Sequence, residues 1–221
     1  MNLFSDIGGS LLEQYAKGGP AMHPIAFLSV VSLALILSKI YAFKKAGTDV
    51  DGLIRGVRRH VLDGRYKQAI ETCERHRGPV AVALKVGLLH SDEPNEEVER
   101  HIEAAAIHSL ARLQRYLGGL ATIATIAPLI GFFGTVVGMI MSFEVIATDM
   151  SKPELVAKGI AVALLTTAFG LLVAVMTQPF YNYFIGRLSV FGGEIEMAAH
   201  SLLDVLKKRR RLVEAESTAA G

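Results

Sequence analysis

Two adjacent threonines, Thr166 and Thr167, interrupt an apolar stretch that reads GIAVALLTTAFGLLVA over residues 159–174. A third threonine, Thr135, lies in the apolar stretch before it. A hydroxyl group donates and accepts hydrogen bonds, so it can guide water or an ion through apolar surroundings, but it cannot store a proton near neutral pH. These residues therefore indicate a polar layer on an ion pathway.

The spacing of the threonines places two of the three hydroxyls at one depth. Thr135 lies sixteen residues before Ser151, the middle of the link between the two stretches, and Thr167 lies sixteen residues after it. Because a helix rises about 1.5 Å per residue, we expect both hydroxyls in one layer near the middle of the membrane. The alternative is that each threonine only donates to a carbonyl of its own helix, four residues earlier.

Three apolar runs are long enough to hold such a layer inside a bilayer. They cover residues 22–40, 118–143 and 159–184, and each reaches the roughly 20 residues that a helix needs to cross about 30 Å of hydrocarbon. With 51% hydrophobic residues among 221, the chain is too apolar for an ordinary soluble domain. The sequence predicts an all-α integral membrane protein with three transmembrane helices, the first of them an uncleaved anchor.

The distribution of basic residues predicts the orientation. Thirteen Lys and Arg residues lie in residues 44–115 and six in residues 187–221, against one before the first run and two in the link between the last two. The positive-inside rule therefore places the long loop and the C-terminus in the cytoplasm and the N-terminus outside. The predicted segments are a periplasmic interfacial helix (1–21), transmembrane helix 1 (22–43), a cytoplasmic helical loop (44–117), transmembrane helix 2 (118–146), a periplasmic link (147–158), transmembrane helix 3 (159–184) and a cytoplasmic helix and tail (185–221).

Glycine and proline residues divide the helical pattern of the loop. Apolar residues at helical spacing over residues 50–62 stop at Gly64, and a second set over residues 66–73 stops at Gly78. Pro79 then suits the start of a third helix. The loop is therefore predicted to be a set of short helices.

A longer helical pattern leads from the loop into the second span. Apolar residues recur every three or four positions over residues 94–120, with only the Gly118-Gly119 pair to interrupt them. This predicts one long helix that leaves the membrane and extends into the cytoplasm, with Arg112 and Arg115 reaching the lipid headgroups. We expect neighbouring subunits to cover its apolar stripe.

Small residues form a stripe on each of the last two spans, and such stripes let helices approach closely in lipid. Pro128 is expected to bend the second span. The central parts of the spans contain no Asp, Glu, Lys, Arg or His, so use of an ion gradient requires a carboxylate from another chain. The stripes are Ala124, Ala127, Gly131, Gly134, Thr135, Gly138 and Ser142 on the second span, and Ala163, Thr167, Gly170 and Ala174 on the third.

Catalytic and metal chemistry receive little support from the sequence. His101 and His108 are seven residues apart, whereas metal-binding pairs on a helix prefer spacings of three or four. Cys73 is the single cysteine, and the loop has no glycine-rich phosphate site. The basic run at residues 207–211 lacks a surrounding basic domain, which disfavours nucleic-acid binding. The sequence therefore predicts no catalytic residue, no metal and no cofactor.

At these residues the sequence resembles the ExbB/TolQ/MotA family, the channel-forming subunits of ion-driven motors in bacterial inner membranes. Four segments carry the resemblance: GGPAMHPI before the first span, IAPLIGFFGTVVGMIMSF and GIAVALLTTAFGLLVA in the next two, and YNYF at residues 181–184. It implies a ring of five copies whose second and third helices line a central pore. It also implies two copies of a single-span ExbD/TolR/MotB-like partner, each with a proton-binding Asp.

The family's pore threonines match Thr135 and Thr167, and the match implies that Thr166 faces a neighbouring helix. One position departs from the family pattern, because Val162 stands where ExbB and TolQ carry Glu in GIAEALLATA. We nevertheless expect Val162 to line or border the pore. The full predicted pathway set is Thr135, Thr167, Thr166, Val162, Ala163, Gly170, Gly131 and Gly138, with Pro128 as the helix kink.

The resemblance implies a stator subunit that uses the proton motive force to drive rotation or torque on its partner. Biopolymer or nutrient uptake, Tol-type envelope maintenance and gliding motility all remain open as the driven process, as does the choice between proton and sodium. A passive scaffold subunit of a multisubunit membrane complex is the alternative from a different class. An enzyme is the least favoured reading of the residues.

Overall fold

A computed structural model describes residues 13–47, 49–148 and 151–219 of the chain. These residues form helices and no strand, which confirms the predicted all-α fold class. The interfacial helix predicted within residues 1–21 lies mostly outside the described residues, although residues 13–17 are helical. The main helices are α1 (Met22–Ala46), α2 (Val50–Leu62), α3 (Tyr66–Arg75), α4 (Pro79–Leu89), α5 (Asn95–Gln114), α6 (Leu117–Thr148) and α7 (Pro153–Ala219).

Three stretches of helix are long and apolar enough to cross a membrane, as predicted. They include α1, α6 and the first part of α7, and many of their large apolar side chains point outward. Phe27, Phe132 and Leu164 are 69%, 66% and 66% exposed. Such exposure would be costly in water but is the normal state of a surface that faces lipid.

The first of two compact units consists of residues 1–38 and 116–182. Met22, Ile25, Ile123, Ala127 and Val173 form its buried apolar cluster. Two hydroxyls are also buried in this unit: Ser32 Oγ lies 2.7 Å from Thr177 Oγ1, and Thr177 Oγ1 donates to the carbonyl of Val173. Since the threonine hydrogen is used for that carbonyl, Ser32 is the donor to Thr177, and both hydroxyls are satisfied away from water.

Helices α6 and α7 approach each other closely along their small-residue stripes. A Cβ atom at Gly138 would lie 2.6 Å from the carbonyl oxygen of Gly159, and one at Gly170 would lie 2.6 Å from that of Ala127. Real side chains do not come so near to main-chain atoms, so these positions require glycine. The contacts run in antiparallel order, and Ser142 Oγ extends them by donating to the carbonyl of Val156 at 3.0 Å.

The second unit consists of residues 39–115 and 183–221. The short helices α2, α3 and α4 lie where the sequence pattern predicts them. Asp49 caps α2 by accepting a hydrogen bond from the amide of Gly52 at 3.0 Å, and Gly64 has a left-handed φ of 74° in the turn after it. The buried core of the unit includes Leu53, Val57, Val61, Ala69, Cys73, Leu84, Leu88, Val98, Ile102, Ile195, Leu202 and Leu206.

The apolar stripe of α5 is covered partly within the chain itself, contrary to the expectation that neighbouring subunits cover it. Val98 and Ile102 are fully buried because the C-terminal part of α7 contributes to the same core. Ala106 and Leu110, further along the stripe, are partly buried against the same core. Ile107, which lies outside the stripe, remains 70% exposed.

The prediction of one continuous helix from the loop into the second span is wrong. Helix α5 ends at Gln114, Arg115 has an extended backbone, and Tyr116 has a left-handed φ of 68° before α6 begins at Leu117. The break frees the carbonyl of Leu113, and Lys39 Nζ donates to it at 2.7 Å. Gly118 and Gly119, the expected weak point, lie inside α6.

The third span and the C-terminal segment form a single helix. Helix α7 has 67 residues, which corresponds to about 100 Å at 1.5 Å per residue. It continues through Pro179, just as α6 continues through Pro128. Because the hydrocarbon core is only about 30 Å thick, much of α7 must lie outside it, as the predicted long helices require.

Close packing of α6 and α7 predicts different outcomes for two glycine substitutions in α6. Gly138→Ala should lower the free energy of unfolding by about 1–3 kcal/mol, because its Cβ would collide with the main chain of α7. Gly118→Ala is the matched control, since no atom lies within 4 Å of its Cβ position and alanine is the better helix former. Thermal unfolding in detergent, followed by circular dichroism, should show a lower midpoint for Gly138→Ala alone. Equal midpoints would contradict the proposed contact.

Candidate functional site

The adjacent threonines Thr166 and Thr167 have different surroundings. Thr166 is fully buried, and its Oγ1 donates to the carbonyl of Val162 at 2.9 Å. Its side chain occupies the space that a Cβ at Gly134 would need. Thr167 is partly exposed, and its Oγ1 lies 3.1 Å from the carbonyl oxygen of Gly131 on α6 and 3.2 Å from that of Ala163 on its own helix. Thr166 thus packs between the two helices, whereas Thr167 bonds across them at an accessible edge.

Thr135 lies near the level of Thr167 on the facing helix. It is partly exposed, and its Oγ1 donates to the carbonyl of Phe132 at 2.6 Å. Thr135 is four residues from Gly131, the bonding partner of Thr167, so the two hydroxyls lie within about one helical turn in depth. All three hydroxyls thus lie within hydrogen-bonding distance of a carbonyl of their own helix, three or four residues earlier, but a hydroxyl that donates to a carbonyl keeps lone pairs that accept from water.

The other residues of the predicted pathway set lie inside the helix pair. Gly131, Gly138, Gly170 and Ala163 are buried where α6 and α7 meet. Val162 is only 4% exposed, and its methyl groups lie 3.7 and 3.8 Å from the position of a Cβ at Gly19. In the protomer these five residues are packing contacts, and they surround the hydroxyls rather than present polar atoms themselves.

Charged groups are absent from the apolar runs of residues 118–143 and 159–184. The proton-binding capacity of this part of the chain is therefore limited to hydroxyls and main-chain carbonyls. Outside these two runs, the thiol of Cys73 is a poor nucleophile, because burial raises its pKa to about 12. The arrangement can order water or bind a passing acid, but it cannot itself take up and release a proton.

Sequence reasoning missed the buried hydroxyl pair of Ser32 and Thr177 and the bonding role of Ser142. Each of these residues is a hydroxyl in an apolar run, the same signal that identified Thr135 and Thr167. The sequence does not show which hydroxyls pair, because Ser32 lies on α1 and Thr177 lies on α7. These hydroxyls hold helices together, and they show that a hydroxyl in a span is not by itself evidence of a pathway.

Comparisons with known proteins agree with these features. Residues 74–197, more than half of the chain, match the model of the MotA/TolQ/ExbB proton channel family. A biopolymer transport protein ExbB homolog of Methanothermobacter thermautotrophicus is 30% identical over 190 residues, which are 86% of this chain and 68% of that relative.

Two bacterial relatives match shorter segments. The biopolymer transport protein ExbB of Salmonella typhimurium is 37% identical over 122 residues, covering 52% of this chain and 50% of that protein. The Tol-Pal system protein TolQ of Pseudomonas aeruginosa is 36% identical over 117 residues, covering 49% of this chain and 51% of that protein. The threonine-bearing helix pair, the three apolar helices and these matches together place the chain in the MotA/TolQ/ExbB proton channel family.

Proposed function

We propose that this protein is the channel-forming subunit of a proton-driven stator in the bacterial inner membrane, with its N-terminus in the periplasm and its C-terminus in the cytoplasm. The observation that supports this best is the pair of partly exposed hydroxyls, Thr135 and Thr167, within one turn of each other on two closely packed helices. The apolar runs around them contain no charge. A polar layer of this kind can stabilise an ion that is carried by a titratable group of another chain.

A partner subunit supplies the acid in this proposal. Two copies of a single-span ExbD/TolR/MotB-like chain each place an Asp beside the hydroxyl layer. A proton from outside neutralises the Asp, the neutral carboxyl passes the layer, and release to the cytoplasm restores the carboxylate. A unit charge crossing 100 mV yields roughly 2.3 kcal/mol, which is less than the roughly 2.5–3.5 kcal/mol or more that a bare charge costs at the centre of a membrane, so neutralisation must precede movement. The cycle drives rotation or torque on the partner.

The proposed assembly is a ring of five copies, with α6 and α7 toward the axis and α1 toward lipid. Large apolar side chains on the outer faces of all three helices remain uncovered in one protomer; examples are Leu33, Phe133 and Val175. The proposed energised process is biopolymer or nutrient uptake, Tol-type envelope maintenance or gliding motility. The first two are supported by relatives named as biopolymer transport proteins and as a Tol-Pal system protein.

The ring predicts a fixed stoichiometry. Native mass spectrometry of the complex, extracted in mild detergent, should show five copies of this chain. A complex that dissociates to stable monomers or dimers under conditions that preserve its helical content would contradict the ring. Co-purification of a small chain with one apolar span and an Asp in that span is the expected companion result.

Removal of the accessible hydroxyls should stop proton flow without loss of assembly. Thr135→Val and Thr167→Val keep the side-chain shape, and each should reduce proton flux by roughly tenfold or more, the equivalent of one hydrogen bond to a charged or reacting group. Thr166→Val should have a milder effect because Thr166 is buried against Gly134. Proton uptake by proteoliposomes that contain the complex, followed with a pH-sensitive dye, measures the flux.

Thr122→Val is the matched control for these variants. Thr122 is an exposed residue of the same helix, α6, and donates to the carbonyl of Gly118 at 2.9 Å. It lies more than three turns from Thr135, so its loss should leave the flux unchanged. Equal effects of all four substitutions would show that the hydroxyls of Thr135 and Thr167 have no special role.

The sequence led us to expect that Val162 lines or borders the pore. Because its side chain is buried and its methyl groups lie near Gly19 in the protomer, we propose instead that it packs against the helix pair behind the hydroxyl layer. Val162→Glu should lower the yield of assembled complex, because a charge in such surroundings costs roughly 2.5–3.5 kcal/mol per subunit. Val162→Thr, a substitution of the same size, should assemble normally. The measurement is the amount of complex recovered from membranes. Normal assembly of Val162→Glu with an altered proton flux would show instead that the side chain faces the pathway.

A passive scaffold is the second candidate function, and one observation favours it. The small-residue stripes of α6 and α7 pack against each other within one protomer. The hydroxyls of Thr135, Thr166 and Thr167 all bond to carbonyls of these two helices. A scaffold needs nothing more than this packing. The threonine substitutions separate the two functions, because a scaffold would keep its full activity in the Thr135→Val and Thr167→Val variants.

A further inference from the structure

Two histidines and a glutamate meet at the turn between α4 and α5. His90 follows the last residue of α4, Glu93 lies in the turn, and His101 is in the second turn of α5. One ligand atom from each residue lies within 4.8 Å of the other two. We propose that His90, Glu93 and His101 form a binding site for a divalent transition-metal ion of the zinc class.

The distances suit a metal coordination shell. Zinc binds imidazole nitrogen and carboxylate oxygen at about 2.0–2.2 Å, so two ligands of a tetrahedral ion lie roughly 3.3 Å apart. His101 Nε2 and Glu93 Oε2 are already 3.2 Å apart. The rings of His90 and His101 are stacked with their centroids 3.8 Å apart. The third ligand atom, from His90, lies within 4.8 Å of the other two.

The hydrogen bond made by His90 favours a tautomer that can bind a metal. Its Nδ1 lies 2.9 Å from the carbonyl oxygen of Val86. Because a carbonyl only accepts, Nδ1 carries the hydrogen, and the neutral ring presents a lone pair at Nε2. A ligating histidine whose other nitrogen donates to a main-chain carbonyl is the common arrangement around protein-bound metals.

The main chain around the three side chains is anchored on both sides. Leu88, two residues before His90, and Ile102, next to His101, are 2% and 1% exposed in the core of the second unit. Arg210 of α7 donates to the main-chain carbonyls of Ser91, at 2.7 Å, and Glu93. The three ligand side chains themselves are partly exposed, so an ion can reach them from solvent and complete its shell with water.

The ligand set selects the class of ion. Two imidazoles with one carboxylate favour zinc, nickel or copper, whereas magnesium and calcium prefer oxygen ligands alone. The inference does not depend on the proton pathway, because no residue of the hydroxyl layer takes part. The sequence did not indicate this site, because spacing along one helix pairs His101 with His108. His90 and Glu93 come before α5, and the turn between α4 and α5 brings them to His101.

Isothermal titration of zinc into the full-length protein tests the proposal, using protein in detergent that carries no histidine tag and has been treated with a chelator. The wild type should bind one zinc ion per chain, with no displacement by magnesium in excess. His101→Gln and Glu93→Gln should each weaken binding by roughly tenfold or more. Circular dichroism of the same samples verifies that the variants are folded.

His108→Gln is the control, because His108 is an exposed histidine of the same helix outside the cluster. It should bind zinc as the wild type does. Absence of stoichiometric binding to the folded wild type, unchanged binding to His101→Gln, or equal weakening in His108→Gln would each overturn the metal site. Any of these results would leave the threonine variants and their proton flux unaffected, so the two proposals fail separately.

Discussion

Main-chain contact between α6 and α7 is the interaction on which the rest of the membrane unit depends. Apolar side chains gain little from association in lipid, so packing and hydrogen bonds must hold the helices together. Gly138 and Gly170 let the two main chains touch, and Ser142 and Thr167 add hydrogen bonds across the contact. The same closeness leaves no room for a charged or large group between the helices, which is why the polar atoms there are hydroxyls.

The two units are stabilised by different forces. In the first, exposed apolar side chains face lipid, and hydroxyl pairs such as Ser32 and Thr177 satisfy each other away from water. The second has an ordinary apolar core, in which burial from water is favourable at roughly 25 cal/mol per Å². Accordingly, Cys73 and Leu53 are buried there as in a soluble protein. Substitutions should therefore lower stability through lost packing contacts and hydrogen bonds in the first unit, and through lost burial of apolar surface in the second.

Composition and periodicity predicted the fold class, the three apolar spans and the short helices before Gly64 and Gly78, because these depend on local properties of the chain. The break at Tyr116 could not be predicted, since the lysine that binds the freed Leu113 carbonyl comes from α1, more than seventy residues away. The distinction between Thr166 and Thr167 was expected only from family resemblance. The surroundings of Val162 and the meeting of His90 with His101 depend on contacts across turns, which spacing along one helix does not reveal.

The packing of Thr166 over Gly134 has a consequence for how this sequence can vary. In the family pattern GIAEALLATA the position of Thr166 is alanine and that of Val162 is glutamate, so this chain departs at two positions that lie one helical turn apart. They are joined here, because the Thr166 hydroxyl donates to the main-chain carbonyl of Val162. A side chain larger than hydrogen at position 134 would clash with this threonine. Positions 134 and 166 should therefore be coupled, because threonine at 166 requires glycine at 134.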